Sequence, residues 1–279
     1  MVQSEEPEQR INRRPTAIEL VRHLSTEGHR IFDMAEARRA ARAIGLSQAY
    51  TKEALHHLAR DGWVVRLRRG LYALSSSIPG IPAVHEFEIA MALVSPAAIS
   101  HWSAMSHHGM TEQIPHRVYV LTTTDASPPR ARGTKVTEFV ARGVPFHFIQ
   151  VKPERFLGVR KIWIDEARIE ITDPERTLLD GLTMPRYCGD FAEVLHAFGQ
   201  QASRLDVDKL IEYALRLDAA TTKRLGWVLE RQGVTTTHLA RLQQLPIKGY
   251  RLLDPTGPRK GPYDRRWMIQ ENLPGKVHP

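Results

Sequence analysis

Ser47–Leu74 reads SQAYTKEALHHLARDGWVVRLRRGLYAL, and two structural periods meet inside it. The first half is a helix: Ser47 stands as its cap, Leu55 and Leu58 fall on one side, and Gly62 lies just beyond its end. The second half is rich in strand formers, Trp63, Val64, Val65, Leu67, Leu71, Tyr72 and Leu74, interrupted by Arg68-Arg69-Gly70. Gly70 supplies a turn, so the segment is a short hairpin with a basic tip. Working upstream, Thr16-Ala-Ile-Glu is a capping-box pattern that opens a helix with Ile18, Val21 and Leu24 on one side and Gly28 as its stop. Phe32–Ile44 is alanine-rich and predicts a second helix, capped by Asp33 and closed by Gly45. Three helices followed by a basic hairpin form a winged helix-turn-helix.

The side chains suit an anionic partner. The third helix offers Ser47, Gln48, Tyr50, Thr51, Lys52 and His56 to base edges or phosphates of double-stranded DNA. The hairpin offers Arg66, Arg68 and Arg69 to the backbone or the minor groove. Arg10, Arg13 and Arg14 form a basic arm ahead of the first helix. A winged helix that binds protein and merely solvates a basic face is the alternative. Thr51 fits the core side equally, with Leu55 and Leu58, and Tyr50 serves as well in packing as on DNA.

The whole chain has 279 residues, 42% hydrophobic and 25% charged, which excludes global disorder and allows two domains. Its net charge of +8 is concentrated early: residues 10–76 hold 13 Lys/Arg against 6 Asp/Glu. The single cysteine, Cys188, rules out an intramolecular disulfide and fits a reducing compartment. No apolar run reaches membrane-spanning length and the opening MVQSEEPEQR lacks a secretory pattern, so a cytoplasmic protein without membrane association is expected.

The expected fold class is α+β. Residues 1–14 form the arm, 15–76 the winged helix-turn-helix and 77–82 a linker within the Ser/Pro/Gly-rich stretch Ser75–Pro82. Residues 83–279 form a larger domain, divided into a mixed sheet (83–172), a mainly helical part (173–245) and an extension (246–279). Within it, His85–Leu93 predicts a helix and Ser95-Pro-Ala-Ala a helix start that leads into AISHWSAMSHHG. Thr123–Lys135 predicts an exposed loop. Four to six strands are expected, at Arg117–Thr122, Val136–Ala141, Pro145–Val151, Lys161–Ile164 and Arg168–Ile171. Asp173 and Pro174 open a helix, and Phe191–Gln201, Val207–Leu217, Ala219–Gln232 and Thr236–Gln244 repeat apolar residues at helical spacing.

Candidate chemistry in this part is weak. His101 and His108, with His85 and His107 near, could share a helix face, but no cysteine or carboxylate pair stands at ligand spacing, so no metal or cofactor is expected. Asp165, Glu166 and Glu170 suggest a nuclease, but Lys161 precedes Asp165, against the usual order. Arg176 and Asp180, with Asp173 nearby, suit a structural ion pair. Cys188 has no basic partner to activate it. No catalytic residue is assigned. Arg259, Lys260, Arg265 and Arg266, with Tyr263 and Trp267 between them, are either a nucleic-acid or protein contact or a solvated turn over aromatic packing.

Four segments together resemble the AbiEi family of antitoxins from bacterial type IV toxin–antitoxin systems. They are LARDGWVVRLRRGLYAL (58–74), AISHWSAMSHHGMTEQIPHRVYVLT (98–122), ITDPERTLLDGLTMPRYCGDFAEVL (171–195) and RLLDPTGPRKGPYDRRWMIQE (251–271). The resemblance implies a winged helix that binds inverted repeats in its own operon promoter as a repressor. It also implies a larger domain that helps DNA binding and counteracts a nucleotidyltransferase toxin without needing a stable complex. Monomers cooperating on DNA and a weak dimer both fit. An enzyme acting on the toxin or on nucleic acid, and a regulator sensing a small ligand, are the alternatives.

Overall fold

The structure, a computed structural model, describes residues 16–125 and 139–273 and divides between Val84 and His85 into two units. Arg10, Arg13, Arg14, most of the 123–135 loop, the start of the Val136–Ala141 strand and the last six residues of the extension lie outside the described residues.

The first unit holds α1 (Ala17–Thr26), β1 (Ile31–Asp33), α2 (Met34–Ala43), α3 (Gln48–Arg60), β2 (Val64–Arg68) and β3 (Leu71–Leu74). At the start of α1 the Glu19 carboxylate accepts the Thr16 N–H at 2.6 Å. Asp33 and Glu36 close a reciprocal box at α2, each carboxylate accepting the other residue's N–H at 2.7–2.8 Å. Phe32 is a correction: it belongs to β1, not to the helix. Its strand pairs with β3 through Ile31↔Ala73 and Phe32↔Tyr72, giving the sheet order β1-β3-β2. Sheet pairing outweighs local helix preference here, and Phe32 is buried against the Tyr72 ring at 5.9 Å. Between α2 and α3 the chain reverses tightly. The Leu46 N–H reaches the Ala41 carbonyl at 2.8 Å and the Gly45 N–H reaches Arg42 at 3.0 Å, with Gly45 at φ 75°, a conformation that suits glycine. Leu20, Leu24, Phe32, Leu55, Val64 and Leu74 fill the core. The stretch expected to be a linker is turned onto this core, with Ile78 and Ile81 packed against it.

The second unit is built on a six-stranded mixed sheet. Its strands are β4 (Ala97–Ile99), β5 (Val118–Thr122), β6 (Phe139–Ala141), β7 (Val144–Gln150), β8 (Val159–Ile164) and β9 (Ala167–Thr172), in the order β6-β7-β5-β4-β9-β8. The expected helix start at Ser95–Ala98 is overturned, because Ala97–Ile99 is the strand β4. It lies between β5 and β9 with all three residues buried, and a strand covered on both faces shows no alternation to betray it. Helices α4 (Glu86–Leu93), α5 (His101–His107), α6 (Pro174–Thr183), α7 (Phe191–Gln201), α8 (Val207–Leu217), α9 (Ala219–Arg231) and α10 (Thr236–Gln244) complete the unit, with a small sheet of β10 (Arg251–Leu252), β11 (Tyr263–Asp264) and β12 (Ile269–Gln270). None of the described helices is long and apolar enough to cross a membrane.

The charged side chains buried in this unit have hydrogen-bond partners. Asp173 caps α6 by accepting the Arg176 N–H at 2.9 Å. Its other oxygen takes the Tyr213 hydroxyl at 3.1 Å and lies 3.0 Å from the Lys209 ammonium. Arg176 is 1% exposed. Its Nε donates to Asp180 at 2.9 Å, and its Nη1 donates to the carbonyls of Arg155 and Leu157 at 2.6 and 3.0 Å. On α9, Lys223 donates to the carbonyls of Leu242 and Gln243, and Arg224 to those of Leu252 and Leu182. Trp267 is fully buried, donates to Glu230 at 2.6 Å, and lies flat against Gly226.

His101 is also fully buried, with its Nδ1 2.9 Å from the Ser100 hydroxyl and its ring beside Tyr119 and Tyr187. Burial pulls its pKa from 6.5 down to about 4. The unfolded chain therefore takes up a proton below pH 6.5 that the folded chain refuses until about pH 4. Stability is fully present above the unfolded pKa and falls as the pH drops through this window. Between pH 7 and pH 5 this one group is expected to cost about 2 kcal/mol. Urea unfolding at both values, followed by tryptophan fluorescence, checks it: His101→Gln should lose less stability than the parent on acidification. Equal losses would reject the assignment.

Candidate nucleic-acid interface

On α3, Thr51, Ala54, Leu55 and Leu58 are buried and define the inner face. The helical period then sets Ala49, Lys52, Glu53, His56 and Arg60 on the outer face, and all are exposed. Lys52 and His56 are one turn apart at its middle. Gln48 and Tyr50 lie exposed at its two margins, with Tyr50 39% accessible. Thr51 corrects the expectation of a DNA contact: it is completely buried, and its hydroxyl donates to the Ser47 carbonyl at 3.3 Å. Ser47 occupies the cap position and is exposed, but its side chain makes no capping hydrogen bond.

The hairpin owes its basic face to an irregularity. Strict alternation from Val64 would turn Arg66 and Arg68 inward. The β2–β3 register shifts between Arg66 and Arg68, and the bulge flips the alternation. Val64 and Leu67 both become buried, while Arg66, Arg68 and Arg69 are exposed. Gly70, at φ 78°, makes the turn, and its carbonyl accepts the Met34 N–H at 3.1 Å, tying the hairpin to the start of α2.

Sequence reading overlooked several groups. On α2, Ala37, Ala40 and Ala41 face inward, so Arg38, Arg39 and Arg42 face out. The alanine spacing carried that signal, and the first helix of a helix-turn-helix crosses the phosphate backbone. Arg39 lies 3.9 Å from Glu36. Glu53 is the one carboxylate on the outer face of α3, 3.7 Å from the His57 ring, and a carboxylate there can accept from a cytosine amino group. Arg60 is paired with Asp61 at 2.9 Å.

In the larger unit Arg259, Lys260, Arg265 and Arg266 are all exposed, and Arg266 also forms an ion pair with Glu230 and sits over the Trp267 ring. Its side chain remains 43% accessible beside that pair. The carboxylates weighed for a nuclease do not converge. Asp165 and Glu166 are exposed in the β8–β9 turn, and Glu170 pairs with Lys161 at 3.7 Å. His101 opens α5 and His108 follows its end, with its Nε2 2.7 Å from the Thr172 carbonyl. Burial pulls the His108 pKa down to about 4. No group of three or more His, Cys, Asp or Glu among the described residues could hold a metal ion. Cys188 is buried, and burial pushes its thiol pKa up, away from the thiolate that a nucleophile needs.

Comparison with known proteins bears on the first unit. Residues 19–75 match the family AbiEi_4, described as "Transcriptional regulator, AbiEi antitoxin". That span runs from α1 to just past the hairpin, so the match to this family covers the winged helix. Among solved structures, the RV2827C protein from Mycobacterium tuberculosis is similar at 15% identity and a TM-score of 0.66, covering 92% of each chain. At that identity the likeness concerns the fold. No curated protein matches this chain in sequence.

Proposed function

We propose that this chain is an antitoxin that represses its own operon, with α3 in the major groove of promoter inverted repeats and the hairpin on the adjoining backbone or minor groove. The observation that carries the reading is the family match over the winged helix. The outward cations of α3, the hairpin and α2 support it. Through the larger unit the protein counteracts a nucleotidyltransferase toxin in the cytoplasm, without a stable complex. It acts as a monomer or weak dimer that cooperates on DNA. Half-sites one helical turn apart, about 10 base pairs, place two copies of α3 on one face of the duplex.

The test is binding of the purified chain to its own upstream promoter, against scrambled DNA, at several salt concentrations. Lys52→Ala and Arg68→Ala are each expected to weaken binding and to flatten the log–log salt dependence by about 0.9, one phosphate contact apiece. Thr51→Val should leave binding unchanged, because that side chain never reaches the surface. Sequence-blind binding, or an unaltered salt slope in both cationic variants, would reject the assignment. Co-expression with the neighbouring toxin gene tests the second half: growth should be rescued with no toxin–antitoxin complex surviving purification.

A further inference from the structure

We propose that the C-terminal extension carries a second nucleic-acid site, which stacks an unpaired base of a single-stranded RNA or DNA on the Tyr250–Tyr263 pair. Tyr263 is 59% exposed and Tyr250 39%, and their rings lie 4.6 Å apart between centroids. They come from opposite edges of the small sheet. Tyr263 pairs with Gln270 on β12, and Tyr250 immediately precedes β10 on the other side of β12.

The surroundings are cationic. Lys248, Arg251, Arg259, Lys260 and Arg265 are all exposed. Chain length alone keeps Arg251 and Arg265, one and two residues away, within roughly 8 Å of a tyrosine backbone. The nearby carboxylates are turned to other duties. Asp254 accepts from Thr256, Asp264 from the Trp267 N–H, Glu230 from the Trp267 indole, and Glu271 from the Trp227 indole. Among the described residues, no ion pair neutralises those five cations. The loop that carries Arg259 and Lys260 is pinned, since Gly261 sits at φ 122° directly against the Glu271 carbonyl.

Exposed rings interleaved with backbone-seeking cations are the combination that binds single strands: the rings take base faces and the cations follow the phosphates. A duplex hides its base faces within its own stack, so it would use the cations and leave the tyrosines idle. The site is independent of the winged helix.

The experiment uses the full chain carrying Lys52→Ala and Arg68→Ala, which weakens the first interface. Anisotropy titrations compare a labelled uridine-rich RNA, the equivalent single-stranded DNA and a duplex. Single strands should bind, and Tyr263→Ala should weaken them by about 5- to 150-fold, with Tyr263→Phe within about twofold of the parent. Lys260→Ala with Arg265→Ala, away from any packing, should flatten the salt dependence even if a tyrosine variant folds poorly. The stronger of the RNA and DNA arms identifies the source of the base. The proposal is overturned by no single-strand binding, by duplex or polyglutamate competing as well as the single strand, or by Tyr263→Ala binding like the parent while its thermal unfolding is unchanged.

Discussion

Arg176→Met is expected to destabilise the larger unit by about 3–5 kcal/mol. The side chain is all but inaccessible and its guanidinium serves three acceptors: the Asp180 carboxylate and the carbonyls of Arg155 and Leu157. Removing it leaves a carboxylate at a site that is 3% exposed, with its second oxygen already without a partner among the described residues. An unpaired charge in such a place costs more than the pair contributes, because the desolvation penalty remains when the attraction is gone. Asp180→Leu added to Arg176→Met should therefore recover part of the loss, leaving the two orphaned carbonyls as the residue. Urea unfolding followed by fluorescence is suitable, since Trp102, Trp163, Trp227 and Trp267 all lie in this unit. A loss below about 1 kcal/mol for Arg176→Met, or a double variant worse than the single, would contradict the account.

Trp267→Ala is expected to cost about 3–5 kcal/mol, the usual range for deleting a fully buried tryptophan. Its indole joins the β10–β12–β11 sheet to α9, packing on Gly226 and donating to Glu230. The contact leads to a change of sign. A Cβ on Gly226 would stand 1.9 Å from the Trp267 ring, so Gly226→Ala should cost about 1–3 kcal/mol or more through overpacking. With Trp267 already replaced by alanine the obstruction is gone, and alanine is the better helix former by about 1 kcal/mol. Gly226→Ala should then stabilise that background. The four chains form a double-mutant cycle, and additive costs would mean that the two residues are not in contact in solution.

Helices α7 to α10 were legible because their apolar residues recur at helical spacing and aspartates or glycines mark their ends. Cap and turn residues made α1, α3 and the hairpin readable in the same way. The failures share a cause. Ala97–Ile99 and Phe32 take their strand conformation from neighbours distant in sequence, Val120 and Ile171 for Ile99 and Tyr72 for Phe32, and no local period announces that. Residue type and spacing sufficed to single out Lys52, His56 and the hairpin arginines, all of which the fold leaves exposed. Thr51 required knowledge of which face of α3 meets α1 and α2. Arg38 required recognising α2 as an outward helix in its own right. The Tyr250–Tyr263 pair was invisible because twelve residues of turn and strand separate two rings that only the small sheet brings together.

The clean division of α3 has a further consequence. Thr51, Ala54, Leu55 and Leu58 are buried and Ala59 packs beside them, while Ala49, Lys52, Glu53 and His56 are exposed. Selection can therefore act on the outer set without threatening the fold, since surface substitutions of this kind usually shift stability by less than about 0.5 kcal/mol. On the proposed function, recognition is in effect written on a replaceable surface. That proposal then lets lineages that share this scaffold drift to different target sequences, and neighbouring copies in one genome become mutually deaf, by exchanging four side chains.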